Sequence, residues 1–114
     1  MVQVDQDKFI VAMAGTHQIW MLDIGNDKLY RHSGNGREGC LNDRHSNSEW
    51  AQPSGITEGT IDGKRYFFVA DSESSSIRAV NLSDSNLGLV GASPNSNDLF
   101  AFGDKDGAGF GARL

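Results

Sequence analysis

Val11 and Val69, Ala12 and Ala70, Ile19 and Ile77, Ile24 and Leu82, and Leu29 and Leu87 all stand 58 residues apart. Gly34 and Gly91 close the two series at a separation of 57. An offset that persists across several segments and their turns marks an internal repeat, and a repeat constrains the fold more than any single segment does. Within each copy the apolar runs are short. Phe9-Ile10-Val11-Ala12-Met13-Ala14 ends at Gly15, too brief for a helix and suited to a strand buried on both faces. Ile19-Trp20-Met21-Leu22-Asp23-Ile24 follows the Thr16-His17-Gln18 turn, with the β-branched and aromatic residues that fit a pleated surface. Gly25-Asn26-Asp27 then turns the chain into the more polar Leu29-Tyr30-Arg31-His32-Ser33.

The second copy repeats this grammar. Residues 35–52 are polar and irregular, and contain Trp50. Pro53 stands at the head of the next strand, one of the few places where a sheet tolerates proline. Tyr66-Phe67-Phe68-Val69-Ala70 is closed by Asp71, and a serine-rich turn leads into Ile77-Arg78-Ala79-Val80-Asn81-Leu82. Ser83-Asp84-Ser85 precedes Leu87-Gly88-Leu89-Val90. The pattern predicts strands near 8–14, 18–24, 28–33, 53–58, 65–71, 76–82 and 86–91. Fourteen glycines against two prolines fit tight turns between short strands better than a flexible linker. Four short antiparallel strands repeating at this spacing have the form of a propeller blade.

The string Gln52-Pro53-Ser54-Gly55-Ile56, then Phe68-Val69-Ala70-Asp71-Ser72, then Ile77-Arg78-Ala79-Val80 resembles the NHL repeat, a four-stranded β-propeller blade. Val11 through Trp20 and Leu99 through Gly107 extend the likeness over nearly the whole chain. The resemblance implies an all-β fold: an NHL-type β-propeller fragment of about two four-stranded antiparallel blades, in a family whose propeller has about six. The expected division of residues 1–114 is blade one at about 8–58 in part, blade two at about 53–103, and a C-terminal tail leading into a missing blade. Some members of the family carry a thioredoxin-like domain ahead of the propeller. Its cysteine pair is absent here.

Several classes of function are disfavoured. The net charge is −5 with a pI near 4.9, and basic residues are scattered apart from Lys64-Arg65, which argues against nucleic-acid binding. Cys40 is the only cysteine, so no internal disulfide or CxxC motif exists in the chain. No run approaches the ~20 apolar residues of a membrane span. Met1-Val2-Gln3-Val4-Asp5 has neither the basic start nor the apolar core of a signal peptide. The compartment stays open: cytoplasm or, for a plant-like member, chloroplast lumen.

The motifs that suggest chemistry read better as structure. Gly34-Asn35-Gly36-Arg37-Glu38-Gly39 satisfies the dinucleotide pattern, but no helical period follows to receive a pyrophosphate. Asp104-Lys105-Asp106-Gly107 starts like a calcium loop and lacks the remaining ligands and flanking helices. His17, His32 and His45 have no metal-ligand spacing. Asn81-Leu82-Ser83 matches a glycosylation triplet by chance in a chain with no secretory signal. Trp20 is expected to pack between blades, and Trp50 over the start of a blade's innermost strand.

Asp71 and the serines of its turn have no neighbouring base in sequence, so a nucleophile is not expected. Asp71, Ser72 and Arg78 are the candidate structural-turn or interaction residues. Asp71 and Ser72 brace the turn through backbone N–H groups, with an exposed recognition role open. Met13 and Ala14 replace them in the first copy, which suggests that only the strands repeat.

The expected function is a non-catalytic protein-interaction scaffold without cofactors. The alternative is the propeller part of a thioredoxin-like redox protein, positioning substrates for a domain outside this chain. Expected partners are proteins, the remaining blades, or a second copy. An incomplete array leaves apolar sheet uncovered, so the fragment is expected to be marginal alone.

Overall fold

The computed structural model describes residues 1–83, 85–91, 99, 102–103, 105–111 and 114. Two four-stranded antiparallel sheets account for the repeat. The first has the order β1 (Val2–Asp5), β2 (Lys8–Met13), β3 (Gln18–Asp23), β4 (Lys28–Ser33). The second has the order β5 (Pro53–Ile61), β6 (Lys64–Asp71), β7 (Ser76–Val80), β8 (Asn86–Gly91). Each sheet is a simple meander, so every neighbour in space is a neighbour in sequence. This is the all-β, two-bladed arrangement that the repeat predicts.

The blade boundaries differ from the expectation. β1 supplies the first sheet's edge strand beside β2, the place β5 holds in the second sheet, so blade one spans Val2–Ser33, and the whole of β5 belongs to blade two. β1 escapes notice in the sequence because it has four residues and a bulge between Gln3 and Asp5. Only Val4 of the four is buried. The pairing of Leu29 with Leu87 is also off by one. Tyr30 lies opposite Met21, and Leu87 opposite Ala79, which makes Tyr30 the counterpart of Leu87. Between the equivalent pairs Leu22–Leu29 and Val80–Asn86 the connecting segment shortens by one residue, which is why the offset closes at 57.

The turn between the second and third strands of each blade repeats as well. Ala14–Thr16 and Ser72–Ser74 each form one 3-10 turn, followed by a left-handed residue, His17 at φ 56° and Ser75 at φ 51°. What is particular to blade two is therefore the polar chemistry of this turn, not its backbone path.

The core lies between the sheets. β2 and β3 turn Ile10, Ile19 and Met21 toward blade two, and β6 and β7 return Phe67, Val69 and Val80. Trp50 fills the same cluster, although it lies on the connection between the blades. Ile10, Ile19, Trp50, Phe67, Val69 and Val80 are all fully excluded from solvent. At roughly 1.5–3 kcal/mol for each large apolar side chain buried, this interface is the main source of stability. Trp20 does not join it. It lies half-buried on the opposite face of blade one, with Nε1 donating to Gln18 Oε1 at 3.0 Å.

Candidate functional site

The polar chemistry gathers where the 34–52 connection crosses the β6–β7 end of blade two. Asp71 ends β6 with its carboxylate fully buried. Its Oδ1 accepts the backbone N–H of Gln52 at 2.7 Å and that of Ala51 at 3.1 Å. Its Oδ2 accepts Ser74 Oγ–H at 2.8 Å and Arg78 Nη1–H at 2.8 Å. Arg78 projects from the middle of β7 and is 1% exposed. Its other donors reach Asn42 Oδ1 at 3.0 Å and the Leu41 carbonyl at 2.9 Å. The guanidinium carbon lies 4.3 Å from the centre of the Trp50 ring, a cation–π contact.

Two of the three candidate residues thus meet in one buried ion pair. Ser72 stays exposed and donates its hydroxyl to the Gln52 carbonyl at 3.1 Å and to Gln52 Oε1 at 3.0 Å. The hydroxyls of Ser72, Ser74 and Ser76 bond with Asp71, Gln52 and one another, and with no imidazole. A carboxylate saturated by four donors and a serine with no base have no nucleophile to offer.

The connection is held from both blades. His17 Nδ1 donates to the Ala51 carbonyl and Gln18 Nε2 to the Gly34 carbonyl at 3.3 Å. Asn86 Nδ2 donates to Asn42 Oδ1 at 3.1 Å, and its own Oδ1 accepts the Asp43 N–H at 3.0 Å. Trp50 Nε1 donates to Ser33 Oγ at 3.0 Å. The result is an irregular loop with its backbone pinned and with Arg37, Glu38, Asn42, Asp43, Arg44, Ser46 and Asn47 exposed. Gly34 and Gly36 adopt φ of 106° and 93°, and no helix follows them, so the glycine pattern shapes a turn.

His32 and His45 are brought together although thirteen positions separate them in sequence. Their ring centres are 4.3 Å apart, and their Nε2 atoms donate to the carbonyls of Asn81 and Ser85 at 2.8 and 3.2 Å. No spacing signal foretold this, because β4 and the connection meet only in three dimensions. Among the described residues no group of three metal-ligating side chains forms. Asn81 braces the β7–β8 turn, its Oδ1 accepting the N–H groups of Ser83 and Ser85. Asp104 of the calcium-like string lies outside the described residues.

Burial pushes the His32 imidazole below its usual pKa of 6.5, opposed in part by its bond to the Asn81 carbonyl. Asp5, Lys8, Tyr30 and His45 line the same cleft. A base with a lowered folded pKa is protonated more readily in the unfolded chain. Its contribution is therefore complete above about pH 6.5 and lost as pH falls below that value toward the folded pKa. We expect the denaturation midpoint to drop between about pH 7.5 and about pH 5.5, and His32→Gln to remove part of the drop. An identical drop in the His32→Gln chain would exclude His32 as its source.

No family model matches the chain. NHL repeat-containing protein 2 of Homo sapiens is 42% identical over 117 residues, covering 91% of this chain and 16% of its own length. The protein of that name from Bos taurus is 40% identical over 126 residues, covering 98% of this chain and 17% of its own. SUPPRESSOR OF QUENCHING 1, chloroplastic, of Arabidopsis thaliana is 44% identical over 106 residues, 90% of this chain and 10% of its own. The chain therefore spans less than a fifth of the length of the curated relatives it matches. An auxiliary nutrient binding protein from Bacteroides ovatus ATCC 8483 superposes with a TM-score of 0.76 over 95% of this chain and 28% of its own, at 17% identity. That likeness is one of fold.

Proposed function

The chain belongs to the NHL-repeat β-propeller family, and on that premise we propose that it is a non-catalytic scaffold that presents a protein-interaction surface. One observation carries the reading. The 35–47 loop is pinned to blade two by part-buried hydrogen bonds with Arg78 and Asn86, while Arg37, Glu38, Asp43 and Arg44 face solvent. Binding residues are commonly placed on loops held by a rigid scaffold. Such a loop loses little conformational entropy when a partner docks, because its backbone is already ordered.

A charge-swapped loop tests this. Arg37→Glu with Glu38→Arg inverts two exposed side chains and leaves the backbone anchors in place. Cross-linking in an extract should capture a protein with the parent chain, and the doubly swapped chain should lose at least about tenfold of that capture at an unchanged melting temperature. Equal capture by both chains would remove the loop from consideration.

A further inference from the structure

A cleft of about 300 Å³ opens between blade one and the β7–β8 turn of blade two. It lies between two adjacent blades, not on the outer face of either. Its floor is apolar. Val4 and Met21, both buried, continue the core cluster into it, and Leu82, 39% exposed, forms an apolar lip on the opposite side. Its mouth carries opposite charges side by side. Asp5 of β1 and Lys8 of β2 are register partners, and both line the cleft. Side chains at paired positions stand about 4.5–5.5 Å apart at Cβ. Among the described residues the two do not pair with each other: Asp5 Oδ1 accepts the Asp7 N–H at 3.0 Å, and the Lys8 charge acts on Asp23. His32 adds no charge of its own at neutral pH, because burial holds its imidazole below the usual 6.5.

We propose that this cleft binds a small zwitterion, an α-amino acid with an apolar side chain, its ammonium at Asp5, its carboxylate at Lys8 and its side chain against Val4, Met21 and Leu82. Small-molecule sites combine an apolar lining with a few polar groups that fix orientation, in volumes of about 300–1,000 Å³. This cleft has that composition and sits at the small end of the range. The spacing of the charges selects the ligand class. An α-amino acid carries its ammonium and carboxylate on one carbon, which suits two opposite charges on neighbouring strand positions. Each group then makes a charge-assisted hydrogen bond. A simple carboxylate would leave Asp5 without a partner, and a simple amine would leave Lys8 without one. The site rests on the cleft between the blades and stands whether or not the 35–47 loop binds a partner.

Amide chemical shifts of the full chain, titrated with three probes, test the proposal. The probes are L-leucine, isocaproate, which is leucine without its ammonium, and isoamylamine, which is leucine without its carboxylate. Leucine should shift the amides of Met21, Tyr30 and Leu82 in a saturating manner. Each analogue loses one charge-assisted bond and should bind about tenfold more weakly. In Asp5→Asn leucine should lose its advantage over isocaproate and keep its advantage over isoamylamine. In Lys8→Gln the two preferences should exchange roles. Asp5 is exposed and Lys8 half-buried, and both substitutions are close in size. Should either variant fail to fold, the three-probe comparison on the unaltered chain decides alone. No saturating shift with leucine, equal affinity for all three probes, or folded variants that keep both preferences would each overturn the proposal.

Discussion

Asp71→Ala should cost about 3–5 kcal/mol, a large share of the roughly 5–15 kcal/mol that stabilises a small domain. The size of the effect comes from what the substitution leaves behind. Arg78 is 1% exposed and would keep a full positive charge with its anionic partner gone. The N–H groups of Ala51 and Gln52 and the hydroxyl of Ser74 would lose their acceptor in the same step. Unmade hydrogen bonds in a buried site cost more than made ones contribute. The asymmetry supplies a second expectation. Adding Arg78→Met to Asp71→Ala removes the stranded charge and fills its volume with an apolar chain, so the double variant should be more stable than Asp71→Ala alone. Recovery should be incomplete, because Arg78 also donates to Leu41 and Asn42 and stacks on Trp50. Urea denaturation of the three chains checks both points. A cost below about 1 kcal/mol for Asp71→Ala would mean that water, not the ion pair, satisfies this site.

The strands were legible because their signal is local. Phe9–Met13 and Tyr66–Ala70 are dense apolar runs closed by a turn residue, and the 58-residue offset made two weak readings into one strong one. β1 was not legible, since four residues with two outward polar side chains fall below any periodicity threshold. Asp71, Ser72 and Arg78 stood out as a family motif, yet their partners did not. Ala51 and Gln52 precede Asp71 by about twenty residues, and Leu41 and Asn42 precede Arg78 by more than thirty, with nothing in either stretch to reveal the contact. The expectation that only the strands repeat failed for a related reason. Ala14–Thr16 and Ser72–Ser74 share a backbone path and no side-chain chemistry, and a residue comparison sees only the latter. The His32–His45 contact belongs to the same class of hidden feature, formed by a loop folding back on a strand edge.

Trp50→Ala should destabilise the chain by about 3–5 kcal/mol and release the connection between the blades in the same event. The ring is fully buried among Ile10, Ile19, Phe67 and Val69, so its loss opens a cavity at the centre of the interface. It also removes the surface on which the Arg78 guanidinium rests and the donor held by Ser33. Trp50→Phe separates these contributions. It keeps most of the apolar contact and loses the Nε1 bond, while Ser33 retains Ser48 as a hydroxyl partner at 3.0 Å, so about 1–2 kcal/mol is expected. The readout that distinguishes a clamp from simple filler is amide exchange in the loop. The N–H groups of Gly34, Asn35 and Leu41 donate to His45, Ser48 and Glu49, bonds that Trp50 does not itself make. In Trp50→Phe these amides should keep their protection relative to the strand amides of β6 and β7. In Trp50→Ala they should exchange faster than those strands, because the connection would lift from a core that still partly holds. Loop and strand amides that lose protection in step would show that Trp50 supports the interface alone, and that the rigidity of the 35–47 surface has its source in Asp71, Arg78 and Asn86.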